Sequence, residues 1–240
     1  MLGAESVQII YVHFIYEMTV IYETSTVKLE KVKDQEYRLT VQWEGPHKRF
    51  WINFPFNLLK VIGKSSPSAV TGRRVFSIRA KSIQTLPQLI SREKGFLSYE
   101  QSISFLSGVG NQIQALERFD IGIPFVDEED VLVVDDRNFF YVNDSRTIGI
   151  TDGSIEITDP YKPNRFFSPE FRKIEGIPAR ISYRSAYYSL AALVTYSLTG
   201  KVINGNIKSK LLDPIYATKL FWALERCLEE NPANRYYLII

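Results

Sequence analysis

Asp130-Val131-Leu132-Val133-Val134-Asp135-Asp136-Arg137-Asn138-Phe139-Phe140-Tyr141-Val142-Asn143-Asp144 is the stretch that decides the fold of this chain. Val131 to Val134 and Phe139 to Val142 are two short apolar runs of β-prone residues. The Asp136-Arg137-Asn138 turn between them makes the pair a β-hairpin. An aspartate stands at either end, Asp130 before the first strand and Asp144 after the second.

The sequence on both sides of this hairpin has helical spacing. Upstream, Ser98 is a good N-cap with Gln101 as its capping-box partner. It opens an amphipathic helix to about Phe119, with Ile103, Leu106, Ile113 and Leu116 on one stripe. Gln84 to Ser91 reads as a short helix before it. Downstream, Asp144 to about Pro178 is irregular. Ser185 to Leu198 is a strongly apolar helix that ends at Gly200, a C-cap signal. Ala217 to Glu229 is the last helix.

Further upstream the period is two. Val7 to Phe14, Met18 to Tyr22, Thr26 to Val32, Tyr37 to Trp43 and Arg74 to Ala80 read as strands. Glu44 to His47 is a turn, Phe50 to Ile62 a strand running into a short helix, and Lys64 to Gly72 a loop. The expected class is α+β: a β-rich unit over residues 1–80, then a helical unit over 81–240 that holds the hairpin 131–142.

Composition narrows the function. The chain has 240 residues, 45% of them hydrophobic and 13% aromatic, which suits a real core. Its 29 basic and 27 acidic residues leave a net charge of only +2, and no basic stripe with interleaved aromatics appears. A nucleic-acid partner is therefore not expected. No run of about 18 apolar residues is present, so no membrane span is expected. The N-terminus has no basic n-region, so it does not read as a signal peptide. Cys227 is the single cysteine and cannot form an internal disulfide, which favours a reducing, cytoplasmic setting. It lies beside Leu224 and Leu228 and reads as a buried small hydrophobe. The only histidines that could serve it as a base, His13 and His47, are far away in sequence.

The order of elements resembles the protein kinase fold, a bilobal arrangement of a small β-rich lobe and a mainly helical lobe. Several short motifs support the resemblance. Phe76 to Ala80 is similar to the last N-lobe strand and hinge, and Phe96-Leu97-Ser98-Tyr99-Glu100 to the start of the long helix beneath the active site. Asp130 to Val134 resembles the Asn-Ile-Leu-Val that follows the catalytic loop. Phe140 to Asp144 resembles the strand that delivers the Asp of Asp-Phe-Gly. Ser168-Pro169-Glu170 looks like Ala-Pro-Glu, which closes the activation segment, here 144–170. Tyr188 to Val194 with Thr199-Gly200, and Leu224 to Leu228 with Asn231-Pro232 and Arg235, resemble the two late helical motifs. In general style the chain is also similar to degenerate kinase-like proteins of large DNA viruses, which would place it in host cytoplasm or virion.

What the resemblance implies for catalysis is mostly loss. Phosphoryl transfer needs metal-held phosphates, a lysine, a positioned carboxylate and a loop over the nucleotide. Counting back from Asp130 places Ile123, Pro124 and Phe125 on His-Arg-Asp, and a phenylalanine accepts no proton. Asp127 or Asp120 would serve only by breaking the spacing. Asp-Phe-Gly becomes Asp144-Ser145-Arg146. Ala186 stands where kinases carry the Asp that anchors the catalytic loop, leaving a loop with nothing to position. Residues 1–44 contain one glycine, Gly3, so no glycine-rich loop exists. Lys28, Lys31 and Lys33 read as surface lysines. Asp130 and Asp144 could still hold a metal and nucleotide, or simply mark strand ends.

By contrast, the resemblance implies that Glu170 and Arg235 form a buried ion pair. The expectation is a pseudokinase without cofactor that binds protein partners. Its binding surface would be Thr147 to Phe167, with Tyr161, Phe166 and Phe167 either as anchors or as packing residues. One alternative is a divergent Ser/Thr-type kinase using Asp144 and Asp130 with Mg-ATP. The other is a structural or assembly protein that reuses the fold.

Overall fold

The computed structural model describes residues 18–42, 63–67, 72–203 and 208–240. The expected strand at Val7–Phe14, the turn at Glu44–His47 and the segment Phe50–Ile62 lie outside them. The fold is α+β, with a sheet in the N-terminal part and helices after it.

Strands β1 (Thr19–Glu23), β2 (Val27–Lys33), β3 (Glu36–Gln42), β4 (Gly63–Pro67) and β5 (Arg73–Arg79) form one antiparallel sheet in the order β1-β2-β3-β5-β4. Strict alternation explains its register. Val27, Leu29, Leu39, Val41, Phe76 and Ile78 all turn to one buried face. The expected loop at 64–72 is corrected, because Gly63 to Pro67 pairs with β5 along its whole length. Gly-Lys-Ser-Ser-Pro has poor strand propensity, and pairing with a well-formed neighbour overrides it. Its proline is tolerable because β4 is an edge of the sheet among the described residues.

Strand β6 (Ile83–Thr85) leaves the sheet and pairs with the central hairpin, β8 (Val131–Val134) and β9 (Asn138–Tyr141). Tyr37 of β3 holds this junction, accepting from the Ile83 amide at 3.2 Å. Helix α1 (Leu86–Arg92) starts two residues later than expected, because Thr85 ends β6 and caps the helix in a capping box with Gln88. The hairpin turn shifts by one residue. Asp135 and Asp136 take φ of 52° and 62°, a region that aspartate tolerates better than most residues, while Asn138 joins β9.

Helix α2 (Tyr99–Glu117) has the expected capping box: the Gln101 amide donates to Ser98 Oγ at 3.1 Å, and the Ser98 amide to Gln101 Oε1 at 2.9 Å. Leu106, Ile113 and Leu116 are buried, with Ile103 at the margin. The helix lies so close to β9 that a Cβ on Gly108 would stand 2.6 Å from the Phe139 carbonyl oxygen. Buried Gln112 clamps the strand, donating to Tyr141 O at 3.1 Å and accepting from Tyr141 N at 2.8 Å. These contacts fix where β9 ends, and so where Asp144 stands.

The expected irregular stretch 144–178 holds more order than its sequence suggests. β7 (Ile121–Gly122) pairs with β10 (Ile148–Gly149), and β11 (Ser154–Ile157) with β12 (Ala179–Ser182). A short helix α3 (Pro169–Arg172) is capped by Ser168. Helix α4 (Ser185–Thr199) is buried on almost every face and ends at Gly200 with φ 70°, as expected. α5 (Lys208–Leu212) had no expectation attached to it. α6 (Lys219–Cys227) falls within the expected Ala217–Glu229, capped by Thr218. One continuous apolar cluster runs from the sheet through the hairpin to α2, α4 and α6, and buried Cys227 belongs to it.

Candidate functional site: two buried carboxylates and a resident guanidinium

The hairpin carries both aspartates into the interior. Asp130 closes a single 3-10 turn before β8, and Asp144 opens another after β9. They are 3% and 1% exposed. The Val142 amide donates to Asp130 O at 2.9 Å and ties the two ends together.

Both carboxylates are engaged by the chain itself. Asp130 accepts from Asn143 Nδ2 at 2.7 Å through one oxygen and from the Arg146 guanidinium through the other. Asp144 accepts from Thr26 Oγ1, in the turn between β1 and β2. Burial pushes the Asp130 carboxyl up to about 6, against the downward pull of Arg146 and Asn143. Tyr22 of β1 reaches the same place. Its hydroxyl is raised first by burial and then by the Asp130 charge.

Arg146 is the centre of the arrangement. Its guanidinium lies 4.3 Å above the Phe125 ring, bonds Asp130 and stands 3.9 Å from Asp127. Phe125 is buried among Tyr161, Phe167 and Phe171 in edge-to-face contacts at 5.3, 4.7 and 5.7 Å. Asp127 caps the turn before β8 and accepts from Asn164 Nδ2 at 2.7 Å. Asp120 is exposed after α2 and has no part in the cluster. Lys28, Lys31 and Lys33 pair with Glu30, Asp34 and Glu36 on the sheet surface.

The loop 123–126 is still anchored, although Ala186 offers no carboxylate. Ser185 Oγ donates to Pro124 O at 2.6 Å. Ser189 Oγ donates to Val126 O at 3.1 Å and accepts from Val126 N at 2.9 Å. Two serines on one face of α4 hold the loop, a role that the sequence reading did not assign to them. Of the two roles expected for Phe166 and Phe167, packing is the one the structure shows, since they are 1% and 7% exposed.

The expected pair between Glu170 and Arg235 is present. Arg235 is fully buried, with Nη1 donating to Glu170 Oε1 at 2.5 Å and Nη2 to Oε2 at 2.8 Å. Its Nε also reaches Glu229 O at 2.6 Å, and Nη2 reaches Glu230 O at 2.9 Å.

No protein-family model matches the chain, and no curated protein is significantly similar to it. Among the described residues, no group of three or more His, Cys, Asp or Glu is placed to hold a metal ion. No helix among them is long and apolar enough to cross a membrane.

Proposed function

We propose that the chain is a kinase-like protein that has lost phosphoryl transfer and works as a protein-binding scaffold or regulator. The observation that carries the reading is Arg146. A divalent cation on Asp130 needs a charged, accessible carboxylate oxygen. Here one oxygen holds a guanidinium and the other a carboxamide. A cation arriving at Asp130 would also meet the Arg146 charge at contact range. The donor set therefore does not suit magnesium.

The kinase likeness itself is supported by the order of the elements, by the hairpin ending in two aspartates and by the buried Glu170–Arg235 pair. Phe125 in the place of a proton acceptor supports loss of turnover. Retained packing around carboxylates held by the chain's own side chains fits a protein whose use is its surface.

A melting curve with and without ATP, in magnesium and then in manganese, tests the reading. The expected outcome is no shift. A ligand present at about 100 times its Kd stabilises by ~2.7 kcal/mol, which such a curve registers readily. A shift that disappears in Asp144→Ala would overturn the reading in favour of a divergent kinase.

A further inference from the structure

The two buried carboxylates owe part of their cover to the N-terminal sheet. The tip of the β1–β2 hairpin reaches the cluster. Thr26 Oγ1 donates to Asp144, and Tyr22 stands close enough to feel the Asp130 charge. Ser25, between them in the chain, is exposed. A surface turn therefore takes part in burying Asp130 and Asp144.

The tip is built as one unit. The Thr24 amide donates to Val27 O at 2.8 Å, and Thr24 Oγ1 accepts from the amides of Thr26 and Val27 at 3.3 and 3.1 Å. This cap fixes where the Thr26 hydroxyl stands. Behind the tip the ladder is interrupted. Val20 pairs with Glu30 and Tyr22 with Leu29, so Ile21 is a bulge that sets the tip off from the rest of β1. The tip also has room to move. An open cavity of about 440 Å³ beside it is lined by sheet residues alone, among them Ser25, Lys28, Thr40 and Arg73, and Asp144 takes no part in it. The ground beneath the tip carries three carboxylates, Asp127, Asp130 and Asp144, and one guanidinium, Arg146.

We infer that the β1–β2 tip is a latch, held shut by the Thr26 hydroxyl on Asp144 and released by negative charge on the turn, so that its release uncovers Asp130 and Asp144. A hydroxyl donates to the carboxylate without bringing charge. An anion in its place meets like charge where little water screens it. The latch concerns the cover of the cluster and is independent of whether the chain transfers phosphate.

Hydrogen exchange on the full chain tests it at about pH 8, where ordinary carboxylates are ionised. The reporters are the amides of Val142 and Thr147, which bond Asp130 O and Asp144 O, and that of Val27 in the tip. The amides of α4 are the reference. Thr26→Val should raise exchange at the reporters by at least about tenfold, because it removes a hydrogen bond to a charged acceptor. Thr26→Ser should leave them unchanged. Thr26→Glu should raise them further than the neutral Thr26→Gln. In all four variants α4 should exchange at the parent rate. Thr26→Val matching the parent, Thr26→Ser matching Thr26→Val, or Thr26→Glu matching Thr26→Gln overturns the latch. A rise in α4 as large as that at the reporters would show loss of overall stability instead, and would overturn it too.

Discussion

Replacing Glu170 by alanine strands a charge inside the protein. Arg235 is 0% exposed and makes two hydrogen bonds to the Glu170 carboxylate. Without it the guanidinium keeps the carbonyls of Glu229 and Glu230 and the Tyr188 ring at 5.0 Å, but no counter-charge. Removing one partner of a buried pair costs about 3–5 kcal/mol. The remaining carbonyls, and the 19% exposure of the Glu170 side chain, place this case at the lower end. About 3 kcal/mol in a chain of this size lowers the melting temperature by roughly 6–12 °C. Urea unfolding should show a lower midpoint with an unchanged slope. Adding Arg235→Met to Glu170→Ala should recover part of the loss, because the stranded charge is then gone. A Glu170→Ala protein that unfolds within roughly 0.5 kcal/mol of the parent would refute the reasoning.

The remaining predictions concern the carboxylate cluster and one glycine. Burial holds the Asp130 carboxyl up at about 6, above its unfolded value, so the native state binds the proton more tightly. Stability should therefore fall as pH rises from about 4 to about 6, by roughly 3 kcal/mol from this group, and stay lower above that. Glu117, also raised by burial, acts in the same direction. Asp130→Asn should flatten that slope in urea titrations, and Arg146→Met, which removes the strongest downward influence, should extend it to higher pH; a slope unchanged in both would contradict the assignment. Gly110→Ala places a methyl 2.2 Å from the buried Tyr237 ring, and overpacking of this kind costs about 1–3 kcal/mol. Thermal melting would show it, and an unchanged transition would mean that α2 can retreat from the ring.

Local rules carried a good part of the architecture. The Ser98–Gln101 capping box, the Gly200 C-cap, the hairpin and the alternation of Val27, Leu29, Leu39 and Val41 depend on residues a few positions apart, and each was legible from spacing alone. β4 was not legible, because Gly-Lys-Ser-Ser-Pro becomes a strand only when β5 offers it a partner. β11 and β12 were missed for a similar reason: they lie about 25 residues apart and pair across a connection whose sequence shows no period.

The candidate site divides along the same line. The sequence alone placed a carboxylate at each side of the hairpin and, through the resemblance to kinases, made Glu170 and Arg235 candidates to pair. It took the packed fold to bring Arg146 back onto Asp130, Thr26 down on Asp144, and Ser185 and Ser189 onto the loop at Phe125. Thr26 is 118 residues from Asp144 and Ser189 is 63 from Val126. The physical reason is desolvation: burying Asp130 and Asp144 requires partners, but the side chains that can supply them are set by the packing of whole elements, which no local pattern encodes.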